Sequence, residues 1–137
     1  MKSTLSAGLT DTAKITVDRE RTIDFMGDAA RVYATPMLVR DIEIVCRNLL
    51  LPHLDAGEDS VGTRVEIDHV GATLLGMPVE ITVRLAELNG RAAVFDVEGR
   101  DSVEPIVRGR HSRFIVDVAK TAQRLAAKAQ KAGAARG

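Results

Sequence analysis

Hydrophobic positions along the chain follow two different periods. Between Thr35 and Leu50 they recur at helical spacing. Leu38, Ile42, Val45 and Leu49 fall at i, i+4, i+7 and i+11, and Val39, Cys46 and Leu50 widen the stripe. Thr35 can cap the start, Pro36 suits the first helical position because its missing N–H would be unpaired there anyway, and Pro52 closes the segment. The pattern predicts one long central helix. From Gly62 onward the period is two. Val65, Ile67 and His69 share a face opposite Arg64, Glu66 and Asp68, and Gly71 and Gly76 then interrupt the chain. Val79, Ile81, Val83 and Leu85 alternate with polar residues, and Asn89-Gly90 marks a hairpin. A two-residue loop would set Val83 against Asp96. A three-residue loop pairs Leu85 with Phe95 and Val83 with Val97, matching apolar faces, so a bulged turn with Gly90 left-handed is expected. A further strand is expected over about 106–116, and a short first strand over 13–17. Residues 19–34, irregular and charged with Gly27 as a breaker, read as a loop.

Strand, long helix and four strands make an α+β architecture: an antiparallel sheet with one helix packed across it. Such a sheet leaves exposed edges, which a dimer joining two sheets would cover. A chain of 137 residues is one domain of this kind, able to bury a core. The expected division is a domain over 1–117 followed by a basic, Ala-rich helical tail over 118–137.

Composition narrows the function. Nineteen basic and nineteen acidic residues cancel, so overall charge recruits neither nucleic acid nor an anionic membrane. Three Phe, one Tyr and no Trp supply few platforms for stacking bases. The lone Cys46 cannot form an internal disulfide, which fits a reducing cytoplasm, and the first thirty residues hold no hydrophobic run of a signal or anchor. In the tail, Lys120, Arg124, Lys128 and Lys131 recur at helical spacing with no acidic residue after Asp117. A solvated terminal helix accounts for this stripe, and so does contact with an anionic ligand or partner.

Two polar residues are out of place. Glu43 sits in the apolar helix stripe, with Val39 at i−4, Cys46 at i+3 and Leu50 at i+7, and His69 closes a strand. A carboxylate in apolar surroundings must pair, hydrogen-bond or shift its pKa, so Glu43 is either a stripe-edge carboxylate reaching solvent or Arg, or a functional group. If the fold brings the two together, they can move protons or attack a carbonyl. Thr35, at the helix start, lies where free N–H groups suit an anion or oxyanion. His53 and His111 rank lower. The three histidines and one cysteine show no close ligand spacing, so no metal is expected, and no phosphate loop or nucleophile elbow is present.

Several short motifs occur in order: Phe25-Met26-Gly27, Val32-Tyr33-Ala34-Thr35-Pro36, Glu43, Pro52-His53-Leu54, Gly62-Thr63, the strand ending at His69, and Gly109 to Asp117. Together, over 22–117, they resemble the fluoroacetyl-CoA thioesterase family of hotdog-fold enzymes. The resemblance implies a dimer in which an antiparallel sheet of about five strands wraps one long helix, with acyl-CoA bound near the interface. It implies that Thr35, Glu43 and His69 are catalytic, that Gly62 lies near the catalytic water, and that Arg113 shapes the acyl pocket. The pair of phenylalanines that lids the fluoroacetyl pocket falls on Met26 and Ala29, and Ser112 replaces a common glutamate, which points to a general family member. The expected function is hydrolysis of a short-chain acyl-CoA without a cofactor. Arg91, Arg108, Arg110 and Lys120 are the cations available for CoA phosphates. A non-catalytic hotdog module that binds acyl-CoA is the alternative from another class, and a hydratase on the same fold is a third.

Overall fold

The apolar stripe forms the helix that it predicts. In the computed structural model, which describes residues 1–136, α1 runs Thr35–Leu50, with Leu38, Ile42, Val45 and Leu49 buried against a sheet. Burying each such side chain contributes roughly 1.5–3 kcal/mol, so this stripe anchors the helix. Gly137, the end of the expected 118–137 tail, lies outside the described residues.

Seven strands surround α1: β1 (Thr10–Thr16), β2 (Thr22–Ile23), β3 (Val32–Tyr33), β4 (Glu58–His69), β5 (Pro78–Asn89), β6 (Ala92–Asp101) and β7 (Pro105–Asp117), and a second helix, α2, follows at Val118–Arg136. Five of them form one antiparallel sheet in the order β1-β5-β6-β7-β4, with α1 against its inner face. This is the expected hotdog arrangement. The first strand is longer than expected, at 10–16. The segment read as a loop instead forms a strap: one 3-10 turn precedes β2, a second lies between β2 and β3, and the two short strands pair.

The β5–β6 hairpin keeps the expected register, Leu85 opposite Phe95 and Val83 opposite Val97. Its extra residue lies elsewhere. Asn89 pairs with Ala92 across a two-residue turn in which Gly90 has φ +59, and the register shift falls between Leu85 and Glu87. Bulging Ala86 lets Leu85 and Leu88 both face the core.

A second bulge shapes β4. Gly62 pairs with Arg113 and Arg64 with Ser112, which leaves Thr63 as the extra residue. Side chains alternate along a strand, so Gly62 and His69, seven apart, would normally point to opposite faces. The bulge restores them to one face. Ser60 and Gly62 pair with the inward Ile115 and Arg113, and Val65 and His69 pair with the inward His111 and Val107.

Candidate active site

The polar groups on the inner face form two clusters, one at the start of α1 and one midway along it. The first lies at the helix start. Ala34, not Thr35, is the N-cap, with extended φ −74° and ψ 134° and no side-chain cap bond. The Thr35 hydroxyl is therefore free of the helix and lies 2.7 Å from His69 Nδ1. Met37 donates its N–H to Ala34 O, Pro36 has none, and the Thr35 N–H is left over at the positive end of the helix. His69 Nε2 is buried without a hydrogen-bond partner. Desolvation lowers the His69 pKa below the usual histidine value, against a smaller opposite effect from Gly71, so the ring is neutral at pH 7.

A buried ion pair supports this cluster. Arg21, in the strap, donates through Nε and Nη2 to the Asp41 carboxylate at 2.9 and 3.1 Å, and the Tyr33 hydroxyl donates to the same carboxylate. Asp41 is 2% exposed. The pair fastens the strap to α1 and fixes Tyr33, whose ring meets His69 edge-on with centroids 6.4 Å apart. Burial, aided by Asp41, raises the Tyr33 pKa, so the phenol stays a donor. Asp41 and Arg21 went unnoticed in the sequence. The signal was there in Asp41, a carboxylate adjacent to the apolar stripe at Ile42, but its partner is twenty residues away.

The second cluster lies two turns along α1. Glu43 Oε1 is 3.8 Å from Arg113 Nη1. Arg113 is held from three sides: Nε donates to Ser60 Oγ at 2.7 Å, Nη2 to Ser60 O at 2.8 Å, and Nη1 points to His111 Nε2 at 3.2 Å. His111 is fully buried and donates from Nδ1 to the Arg64 carbonyl beside the bulge at 2.8 Å, which leaves Nε2 as the acceptor. Desolvation lowers the His111 pKa, and Arg113 adds to the effect. His111, ranked below the others in the sequence, is part of this cluster. Ser60 went unnoticed.

Gly62 faces Glu43. A Cβ at Gly62 would lie 2.3 Å from Glu43 Oε1 and 3.2 Å from His111 Cε1, so the absence of a side chain there is what makes room for the carboxylate. The expectation that Glu43 is buried among apolar neighbours is corrected as well, because its side chain is 42% exposed. Its helix neighbours are apolar, but it rises over the edge strand β4, where nothing in this chain covers it.

The structure therefore brings Thr35 to His69, and Glu43 to Gly62 and Arg113, but does not join the two groups in one chain. Eight residues of α1 separate Thr35 from Glu43, about 12 Å of helix. Val65, 41% exposed, lies on the β4 face between them. Met26 and Ala29 are both exposed in the strap. Burial pushes the Cys46 thiol up to about 12, which leaves it inert as a nucleophile. Among the described residues no group of three or more His, Cys, Asp or Glu could hold a metal, and no helix is long and apolar enough to cross a membrane.

Residues 17–119 match the model of the family described as fluoroacetyl-CoA-specific thioesterase, FlK. The chain belongs to this family. The fluoroacetyl-CoA thioesterase of Streptantibioticus cattleyicolor is 34% identical to it over 89 residues, which make up 65% of this chain and 64% of that protein. The match thus spans just under two thirds of that relative. A thioesterase superfamily member from Thermus thermophilus superposes with a TM-score of 0.88 at 27% identity, covering 96% of this chain and 98% of its own. A FlK variant in complex with fluoroacetate and CoA superposes with a TM-score of 0.79 at 28% identity, covering 85% and 99%. The fluoroacetyl-CoA-specific thioesterase family match takes in both clusters, the strap and four of the five sheet strands. It leaves out β1 and nearly all of α2.

Proposed function

We propose that this protein is an acyl-CoA thioesterase that releases a short-chain acid and CoA, with Thr35, Glu43 and His69 as its catalytic residues. The observation that carries the proposal is the Thr35–His69 pair, a neutral imidazole oriented through Nδ1 with Nε2 unpartnered and buried. Folding alone gives no reason for an orphaned ring nitrogen, whereas a departing thiolate gives it a partner.

The reaction needs both clusters. The thioester carbonyl would lie at the start of α1, where the Thr35 N–H and the helix dipole stabilise the developing oxyanion. Water adds to the carbonyl carbon as Glu43 takes its proton. The tetrahedral intermediate then collapses, the C–S bond breaks as His69 Nε2–H hydrogen-bonds the departing thiolate, and the proton that Glu43 took from the water passes to that thiolate. Direct attack by Glu43, followed by hydrolysis of the anhydride, gives the same products. Gly62 leaves room for the water, Arg113 holds Glu43, and Met26 and Ala29 line the mouth of the acyl pocket.

The assembly is a homodimer. The support is that β4 is an edge strand with an exposed run from Val61 to Glu66, and that Glu43 lacks a cover within the chain. A second copy on this edge would set the Glu43 of one protomer against the Thr35–His69 pair of its partner. Residues 1–117 are then the catalytic domain and 118–137 an appended helix. A buried lone thiol accords with a cytoplasmic location.

The test is release of free thiol from a panel of short acyl-CoAs, with Glu43→Ala as the control. Turnover that falls by about 10²-fold or more in the variant supports the assignment. Full activity in Glu43→Ala would sink it. Binding of CoA esters with no turnover on any of them would instead favour the non-catalytic module.

A further inference from the structure

A separate cavity lies on the far side of the sheet from Glu43. It is a groove of about 530 Å³ between α2 and the outer face of β4 and β7. Val61, Phe114 and Leu125 give it apolar walls, exposed by 43, 43 and 61%. Lys120 and Arg124, one turn apart on α2, also line it, and neither has a carboxylate within salt-bridge distance among the described residues. Arg91 stands at the rim, already paired with Glu58 at 3.2 Å. The Thr121 hydroxyl, in the groove wall, is buried with no hydrogen-bond partner. Asp117 is the acidic lining residue, and its carboxylate is occupied by the Lys120 N–H at 3.0 Å.

We infer that this groove holds the phosphorylated nucleotide end of the acyl-CoA, with the phosphates on Lys120 and Arg124 and the adenine against Phe114, Val61 and Leu125. The chemistry is complementary on both counts: two unpaired cations for a multiply charged anion, and a flat apolar floor for an aromatic base. The position fits the proposed reaction, on which this inference rests. Val61 and Thr63 line the groove, and Gly62 between them faces Glu43 across the same strand. The Thr63 bulge breaks the regular hydrogen-bond spacing of this edge, so a ladder with a second copy is interrupted at the point where the pantetheine arm has to pass. The solvated tail helix thus becomes a binding element.

The test uses the full chain carrying Lys120→Glu and Arg124→Glu, both exposed residues of α2 that line the groove. KM for acyl-CoA should rise roughly tenfold or more with kcat unchanged, a loss equivalent to one or two phosphate contacts. KM for the matching acyl-pantetheine thioester, which lacks the nucleotide, should stay put. An unchanged acyl-CoA KM, or an equal rise for both thioesters, would overturn the inference. Calorimetric titration with adenosine 3′,5′-bisphosphate reads the groove independently of turnover: binding lost in the double variant supports it even if no thioester is hydrolysed, and no binding to the parent chain counts against it. Equal binding of inorganic phosphate would reduce the site to a general anion site. A shift in oligomeric state of the double variant on size-exclusion chromatography would assign the groove to a second copy instead.

Discussion

The start and the middle of α1 carry reactive groups of opposite design. At the helix start the reacting atoms are sheltered: His69 Nε2 is buried, and the Arg21–Asp41–Tyr33 knot fixes the ring from behind. Two turns later the support is buried and the reacting atom is open. Arg113 is 6% exposed and His111 not at all, while the carboxylate they hold is 42% exposed. The contrast teaches why a homodimer is proposed: an acid held from behind and open in front is placed to meet a group of the partner protomer.

The strongest way to break that reading is to separate the halves. A Thr35→Ala/His69→Ala protein and a Glu43→Ala protein should each lose activity by about 10²-fold or more. Refolded together in equal amounts, they should recover roughly a quarter of parental activity, because half the dimers are mixed and each holds one intact site. No recovery, with mixed dimers demonstrated by native mass spectrometry, would place all three residues of a site on one chain.

Gly62→Ala sharpens the comparison at the open end. The new methyl would crowd the end of a flexible side chain, Glu43, more than any backbone, so the carboxylate moves and the fold does not. Activity should fall about tenfold, as expected for a misplaced general base, with a melting temperature within a few degrees of the parent.

At the sheltered end the expected effect is on stability. Asp41→Ala leaves Arg21 and the Tyr33 hydroxyl without their acceptor. Arg21 is 22% exposed and can reach water, so the cost should be about 2–3 kcal/mol in urea unfolding, below that of a fully buried pair.

The smallest effect is a pH dependence. His111 and His69 both titrate below the usual histidine range in the folded chain, so the unfolded chain binds protons first as pH falls. Their contribution is complete above about pH 6.5 and is lost as pH drops through the folded values. His111→Gln should shrink the fall in melting temperature between pH 7 and pH 5, and His69→Gln should do so independently. An unchanged slope in both would mean that neither ring is held neutral by its surroundings.

Sequence reading reached the helix, the four strands that follow it and the hairpin register because each rests on local periodicity backed by burial. It placed the extra residue of the hairpin in the turn, since the alternation tells that parity changes between Leu85 and Asn89 but not where. It took Thr35 for the cap because threonine is a good one, whereas Ala34 adopts the extended cap geometry and frees the hydroxyl for His69. The Glu43 error has the same origin. A helical wheel reports neighbours on the helix, and what stands above the carboxylate is set by β4 and its glycine. Arg21 with Asp41, and Ser60 with Arg113, are pairings between distant segments, and periodicity carries no trace of them.

The Thr63 bulge also bears on how this chain tolerates changes in length. Loops absorb single-residue insertions and deletions at little cost. The stretch between Gly62 and His69 cannot, since one residue more or fewer exchanges the faces of the strand relative to each other and turns either the glycine or the histidine away from α1. Odd-numbered length changes in this strand are therefore lethal to the site even where every residue named above is retained, and an alignment that slides a gap through 62–69 describes a protein with its inside turned out.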